Sequence, residues 1–177
     1  MLDKYLITLA DINKFRPTAE LDDDRLAPYI IEAQNIDLLQ VLGEPFLYDL
    51  LLKFDDSGAT EYNQYQKLLE GETYTVGTDT LYFEGIKPIV CYFTLAKFIV
   101  GNPINITRFG FKVEADARVG GYDTTLVKRF SDELKSAGVT YQNKATKYLQ
   151  AKATTYPLYK RKEFSDRART GFNFFKL

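Results

Sequence analysis

The amino-acid sequence predicts a mainly α protein: a helical bundle with a long C-terminal helix, a small β-hairpin, an extended loop and a C-terminal arm. Three observations carry this expectation. Segment after segment places apolar residues three and four apart, the spacing of one helix face. One run, Thr73 to Phe83, alternates instead and holds Val76-Gly77-Thr78-Asp79, which reads as a hairpin. The chain has 177 residues, 45 % of them hydrophobic, enough to bury one core without disulfide or metal staples.

Thr8-Leu9-Ala10-Asp11 reads as a capping box with Asp11 in place of the usual Glu. It opens a short helix to about Phe15, which Arg16-Pro17 stops. Asp22-Asp23-Asp24 precede a second helix, where carboxylates accept from free amides and complement the helix dipole. Leu26, Tyr29, Ile30, Ala33 and Ile36 are its apolar stripe. Gly43-Glu44-Pro45 breaks the chain, and Pro45 starts a helix through about Phe54. Asp55-Asp56-Ser57-Gly58 is a turn, and Thr60 caps a helix with Tyr62, Tyr65, Leu68 and Leu69 on one face.

Gly85 to about Val100 is the most apolar helix. Ile86, Ile89, Val90, Phe93 and Ala96 line one side, and Leu95, Phe98 and Ile99 much of the other. A helix apolar on most faces belongs at the centre of a bundle. Gly101-Asn102-Pro103 ends it, and 104–121 is a strand or protruding loop. A long helix over about Asp123 to Thr155 follows. Its packing seam is Val127, Phe130, Leu134, Ala137, Tyr141, Lys144, Tyr148 and Ala151, with Lys144 as the one misfit. Gly138 inside it costs about 1 kcal/mol relative to Ala and marks a candidate kink. Pro157 ends the helix. The chain therefore divides into a helical body over 1–155, with its hairpin at about 73–83 and loop at about 104–121, and an arm over 156–177.

The missing residue types exclude most catalytic chemistries. Without histidine there is no Ser–His–Asp or Cys–His nucleophile of the usual form, and no His-based zinc or iron site. Cys91 is the single cysteine, so no intramolecular disulfide forms, and its apolar neighbours predict a buried, inert thiol. No Walker loop or dinucleotide-binding glycine pattern is present, and nothing phosphate-binding follows Gly120-Gly121. The remaining candidates for metal or acid–base work are Asp22, Asp23, Asp24, Asp55 and Asp56. Both clusters fall where caps and turns belong, and the second lacks the alternation of a calcium loop. The expectation is a protein that is not an enzyme and has no cofactor, metal or catalytic residue. Met1-Leu2-Asp3-Lys4 lacks the start of a signal peptide, and the apolar helix is interrupted by Lys87 and Lys97 and too short for a bilayer. A reducing cytoplasm and no membrane association are expected.

The net charge of −1 conceals a gradient along the chain. Residues 1–80 hold 16 acids against 6 bases, a net −10, residues 81–123 are at +1, and residues 124–177 hold 12 bases against 4 acids, a net +8. An acidic front can simply solvate the fold. It can also meet the basic end of another copy, a heterologous contact of the kind that closes rings. In the last residues Lys160, Arg161, Lys162, Arg167 and Arg169 alternate with Phe164, Phe172, Phe174 and Phe175. This segment cannot make a core alone. It reads as a solvated face, an arm that docks on protein, or a nucleic-acid contact.

Four segments carry a family likeness: Leu42-Gly43-Glu44-Pro45-Phe46-Leu47, Gly85-Ile86-Lys87-Pro88, Tyr92 to Phe98, and Asn105-Ile106-Thr107-Arg108-Phe109-Gly110. With the order of the predicted elements, they make roughly residues 5–150 resemble the head–tail connector (adaptor) proteins of tailed bacteriophages. The likeness is closest to ring proteins of phages of gut Bacteroides, crAss-like phages included. The C-terminal segment departs from the simplest members. The resemblance implies a virion protein, assembled in the host cytoplasm into a ring, commonly a dodecamer, beneath the portal. Its partners would be further copies, the portal and other neck or tail proteins, with DNA passing through the lumen without sequence-specific binding. A ring subunit needs an arm or loop to lock its neighbours, and Arg108, Phe109, Phe111 and Lys112 of the loop are the candidates beside the arm. The alternative reading is a nucleic-acid-binding accessory protein using the basic aromatic segment, against which the pI near 5.6 weighs.

Overall fold

The computed structural model describes residues 4–17, 23–102, 104–107, 110–113 and 124–159. The architecture is mainly helical, with a long C-terminal helix and a two-stranded antiparallel hairpin, as the periodicity predicts. The elements in order are α1 (Leu9–Phe15), α2 (Asp23–Glu32), a π-helical turn (Ala33–Leu38), α3 (Leu39–Leu42), α4 (Glu44–Lys53), α5 (Tyr62–Glu70), β1 (Glu72–Val76), β2 (Asp79–Phe83), α6 (Lys87–Gly101), β3 (Ile104–Thr107), β4 (Gly110–Val113) and α7 (Thr124–Ala151).

α6 is the axis. α1, α2, the π-helical turn and α7 all pack on it. Pro88 to Cys91, Phe93 to Ala96, Phe98 and Ile99 are buried, so its apolar character on most faces is used on most faces. Cys91 lies among them, fully buried, and burial with the nearby Asp11 charge pushes its thiol up to about 12.

α7 packs along α6 through a strip other than the one expected. Val127, Leu134, Tyr141 and Tyr148 face the body and Phe130 packs half-buried against it, but the buried positions between them are Ser131, Gly138 and Ala145 rather than Ala137 and Lys144. The reason is proximity. A Cβ on Gly138 would stand 2.7 Å from Cε2 of Phe93, and the Ser131 hydroxyl donates to the Ala96 carbonyl oxygen at 3.0 Å. Small side chains let the two helices approach. Gly138 is thus a contact glycine within the continuous helix α7. Lys144 lies off the strip, paired with Glu84 and 5.2 Å from the Tyr141 ring centroid. The helix ends at Ala151, short of Thr155, and turns follow.

The second helix also departs from its expected stripe. Leu26, Ile30 and Ala33 are buried, but Ile36 is 46 % exposed. The π-helical turn widens the spacing to five, so Leu38 takes the inward position after Ala33 and Ile36 swings out. Gln34 is buried there and holds the chain start: its side-chain oxygen accepts from the Leu6 amide at 2.7 Å and its amide donates to the Lys4 carbonyl at 3.1 Å. Lys97 of α6 bridges Glu32 at 3.0 Å and Asp37 at 3.3 Å, where burial raises the Asp37 carboxyl above its usual range.

The capping box at Thr8 and Asp11 is present in both directions, and α1 spans the expected residues. Burial works against the Asp11 carboxylate, yet the Lys14 and Thr8 hydrogen bonds and the Lys87 charge hold its pKa below the usual aspartate range. Pro45 stands at the start of α4 as expected. Thr60 does not cap α5; Glu61 occupies that position without a capping side-chain hydrogen bond.

Strands β1 and β2 pair from Glu72 with Phe83 to Val76 with Asp79, leaving a two-residue loop with Gly77 at φ 61°. Gly71 and Gly85 flank the hairpin at positive φ, where a side chain on either would collide with the other connection's backbone at Phe83 or Leu69. The hairpin base is anchored on Tyr148: Phe83 stacks on it at 4.1 Å and Tyr74 meets it edge-on at 5.1 Å. Residues 75–82 between the two anchoring rings are exposed, Val76, Leu81 and Tyr82 included.

Candidate functional site

Among the described residues, the aspartates of the two clusters serve a helix start, an ion pair and a turn. Asp55 pairs with Lys4 at 2.7 Å, and Asp56 accepts from the Gly58 amide at 2.9 Å, an Asx turn. Asp23 opens α2, Asp24 is exposed in its first turn, and Asp22 lies outside the described residues. Among the described residues, no group of three or more acidic, Cys or His side chains could hold a metal ion, and no helix is long and apolar enough to cross a membrane.

A pocket of about 310 Å³ opens instead between α4, α5 and the turn after α7. α4 sets Asp49 and Lys53 one helical turn apart on one face, and Glu61 at the start of α5 completes a trio. Lys53 lies 2.9 Å from Asp49 and 3.2 Å from Glu61. The Tyr65 hydroxyl donates to the other Asp49 oxygen. Phe46, Tyr65 and Tyr156 form the floor, with ring centroids 5.7 Å apart for Phe46 and Tyr156 and 6.2 Å for Phe46 and Tyr65. Thr155, Pro157 and Leu158 make one wall.

Burial and the Asp49 hydrogen bond push the Tyr65 hydroxyl far above its ordinary range, and the Asp49 hydrogen bond raises Lys53. Tyr65 therefore keeps its proton and Lys53 its charge near neutral pH. The arrangement sets two carboxylates and one ammonium group beside aromatic faces. Behind the floor, the Tyr156 hydroxyl donates to the Gln64 carbonyl at 3.0 Å and contacts the Tyr148 hydroxyl at 3.1 Å, while Tyr148 donates to Glu72 at 2.8 Å. Lys67 and Lys152 each reach Glu72 at 3.3 Å.

Tyr156 alters the expected boundary at 155. It is 2 % exposed and belongs to the core, and Tyr159 packs against that core. Lys160, Arg161, Lys162, Phe164, Arg167, Arg169, Phe172, Phe174 and Phe175 lie outside the described residues, as do Arg108 and Phe109. Phe111 and Lys112 fall in β4, opposite Ile106 and Asn105 of β3, so part of the expected 104–121 loop is a second hairpin. The pocket itself was not read from the sequence. Its signals were the Asp49 and Lys53 pair and an aromatic, Tyr156, directly after the long helix.

No curated protein and no solved structure matches the chain. One family model does match, over residues 38–169, which takes in α3 to α7, the whole pocket and the first part of the basic segment. The chain thus belongs to DUF6712, a family of unknown function.

Proposed function

We propose that the chain is a structural, non-catalytic subunit of the head–tail junction of a tailed phage particle. Copies join in a dodecameric ring that seats on the portal and receives further neck and tail proteins. DNA passes through its lumen without sequence-specific contact. Its place is the virion, reached by assembly in the host cytoplasm and away from membranes. The observation that supports this reading most is the exposed apolar surface of the β1–β2 hairpin, which runs from Tyr82 near its base to Val76 beside its turn. A bundle that buries its own core around α6 still extends Val76, Leu81 and Tyr82 into solvent on a two-stranded arm. Apolar side chains on a projecting element suit contact between subunits. The resemblance over roughly residues 5–150 supplies the particular assembly.

The charge of α7 fits a wall that faces protein. Residues 124–151 hold five bases against two acids, and a basic lining would tighten the grip on phosphates of DNA that must slide. Tagged protein drawn from infected cells after nuclease treatment tests the proposal. Enrichment of portal and neck proteins is expected. Retained nucleic acid without virion proteins would overturn it in favour of an accessory nucleic-acid-binding protein. Removing 160–177, which spares Tyr156, should leave a folded protein that no longer joins the particle.

A further inference from the structure

Charge is separated along the sequence. Residues 44–72 carry seven acids against two bases, and they build α4, α5 and the pocket between them. Residues 160–177 carry six bases against two acids, with four phenylalanines. The residues just before that segment, Thr155 to Leu158, form a wall of the same pocket. The basic aromatic segment therefore leaves the body beside the acidic aromatic pocket.

We infer that the pocket is the socket for residues 160–177 of a second copy of this chain. The match is chemical. Asp49 and Glu61 share a single cation, Lys53, so the trio keeps one negative charge in excess and can accept an arginine or lysine. Phe46, Tyr65 and Tyr156 floor the cavity for an aromatic neighbour of that cation. A volume of about 310 Å³ accepts an anchor side chain and part of the next, not a whole helix. Lys160-Arg161-Lys162 starts two residues beyond Leu158, itself in the wall. The family match runs through residue 169, so the basic part of the segment and the pocket belong to one shared sequence unit. Socket and segment are different surfaces, so the contact is heterologous and repeats around a ring. The inference rests on the self-assembly in the proposed function and names the contact.

The test uses full-length chains, one population labelled with nitrogen-15 and one unlabelled, mixed and treated with a carbodiimide that joins carboxylates to lysines without a spacer. Mixed-label peptides joining Asp49 or Glu61 to Lys160 or Lys162 are expected. Glu61→Arg and Arg161→Glu should each reduce the particle mass measured by light scattering, and the double variant should recover it. Same-label links alone would mean the segment folds back on its own body and would overturn the inference. Assembly without pocket links, or unaffected by both variants, would overturn the socket and leave the ring standing. A monomer at every concentration would end both.

Discussion

Two regions of this molecule use apolar side chains in opposite ways. Where α7 meets α6, side-chain size is limited by the partner: Phe93 stands against Gly138 and the Ala96 carbonyl against Ser131, and Ala145 is fully buried on the same strip. On the β1–β2 hairpin, Val76, Leu81 and Tyr82 stand 47 %, 42 % and 65 % exposed. Substitutions in the first region act on folding. Substitutions in the second act on whatever the hairpin meets, so the two can be separated by experiment.

The largest effect on stability is expected at Gly138. Leucine there drives into the Phe93 ring and should cost about 3 kcal/mol, the upper range for overpacked cores. Alanine gains helix propensity but still meets Phe93 at 2.7 Å, and a net loss of about 1 kcal/mol is expected. Urea denaturation measures both, and a stabilised Gly138→Ala would show that the helices have room to move apart. Next comes Tyr148→Phe, which keeps the stack on Phe83 but removes the donor to Glu72, for a loss of about 1 kcal/mol.

Asp11→Asn sharpens the comparison through pH. The folded Asp11 carboxyl titrates below its unfolded value, so its charge contributes stability above the ordinary aspartate pKa and loses it as pH falls through the folded one. The gap between wild type and Asp11→Asn should be widest near neutral pH and close in acid. A gap independent of pH would assign the effect to the capping hydrogen bonds rather than to the charge. The smallest effect on stability belongs to the hairpin. Serine at Val76, Leu81 and Tyr82 should each change unfolding free energy by no more than about 0.5 kcal/mol. Together they should still abolish recovery of portal and neck proteins, and full recovery would remove the hairpin from the contact surface.

The sequence showed best what local chemistry decides. Thr8 and Asp11 form a cap from four residues, Pro45 starts α4, and the apolar run of α6 is buried on most faces. It showed poorly what a partner element decides. The α7 strip was misplaced because Ser131, Gly138 and Ala145 carry little hydrophobic signal, while Phe130 and Ala137, only half-buried, carry more. Ile36 was misplaced because no apolar count foresees a π-helical turn. The pocket stayed hidden because Asp49, Glu61 and Tyr156 are brought together only by the return of the chain after α7.

The most direct test of the ring is electron microscopy of the tagged protein recovered with its partners from nuclease-treated infected cells. Annular particles with an open centre, seated coaxially on the portal, are the expected result. Portal complexes lacking the protein, or the protein bound as isolated copies with no closed ring, would contradict the account.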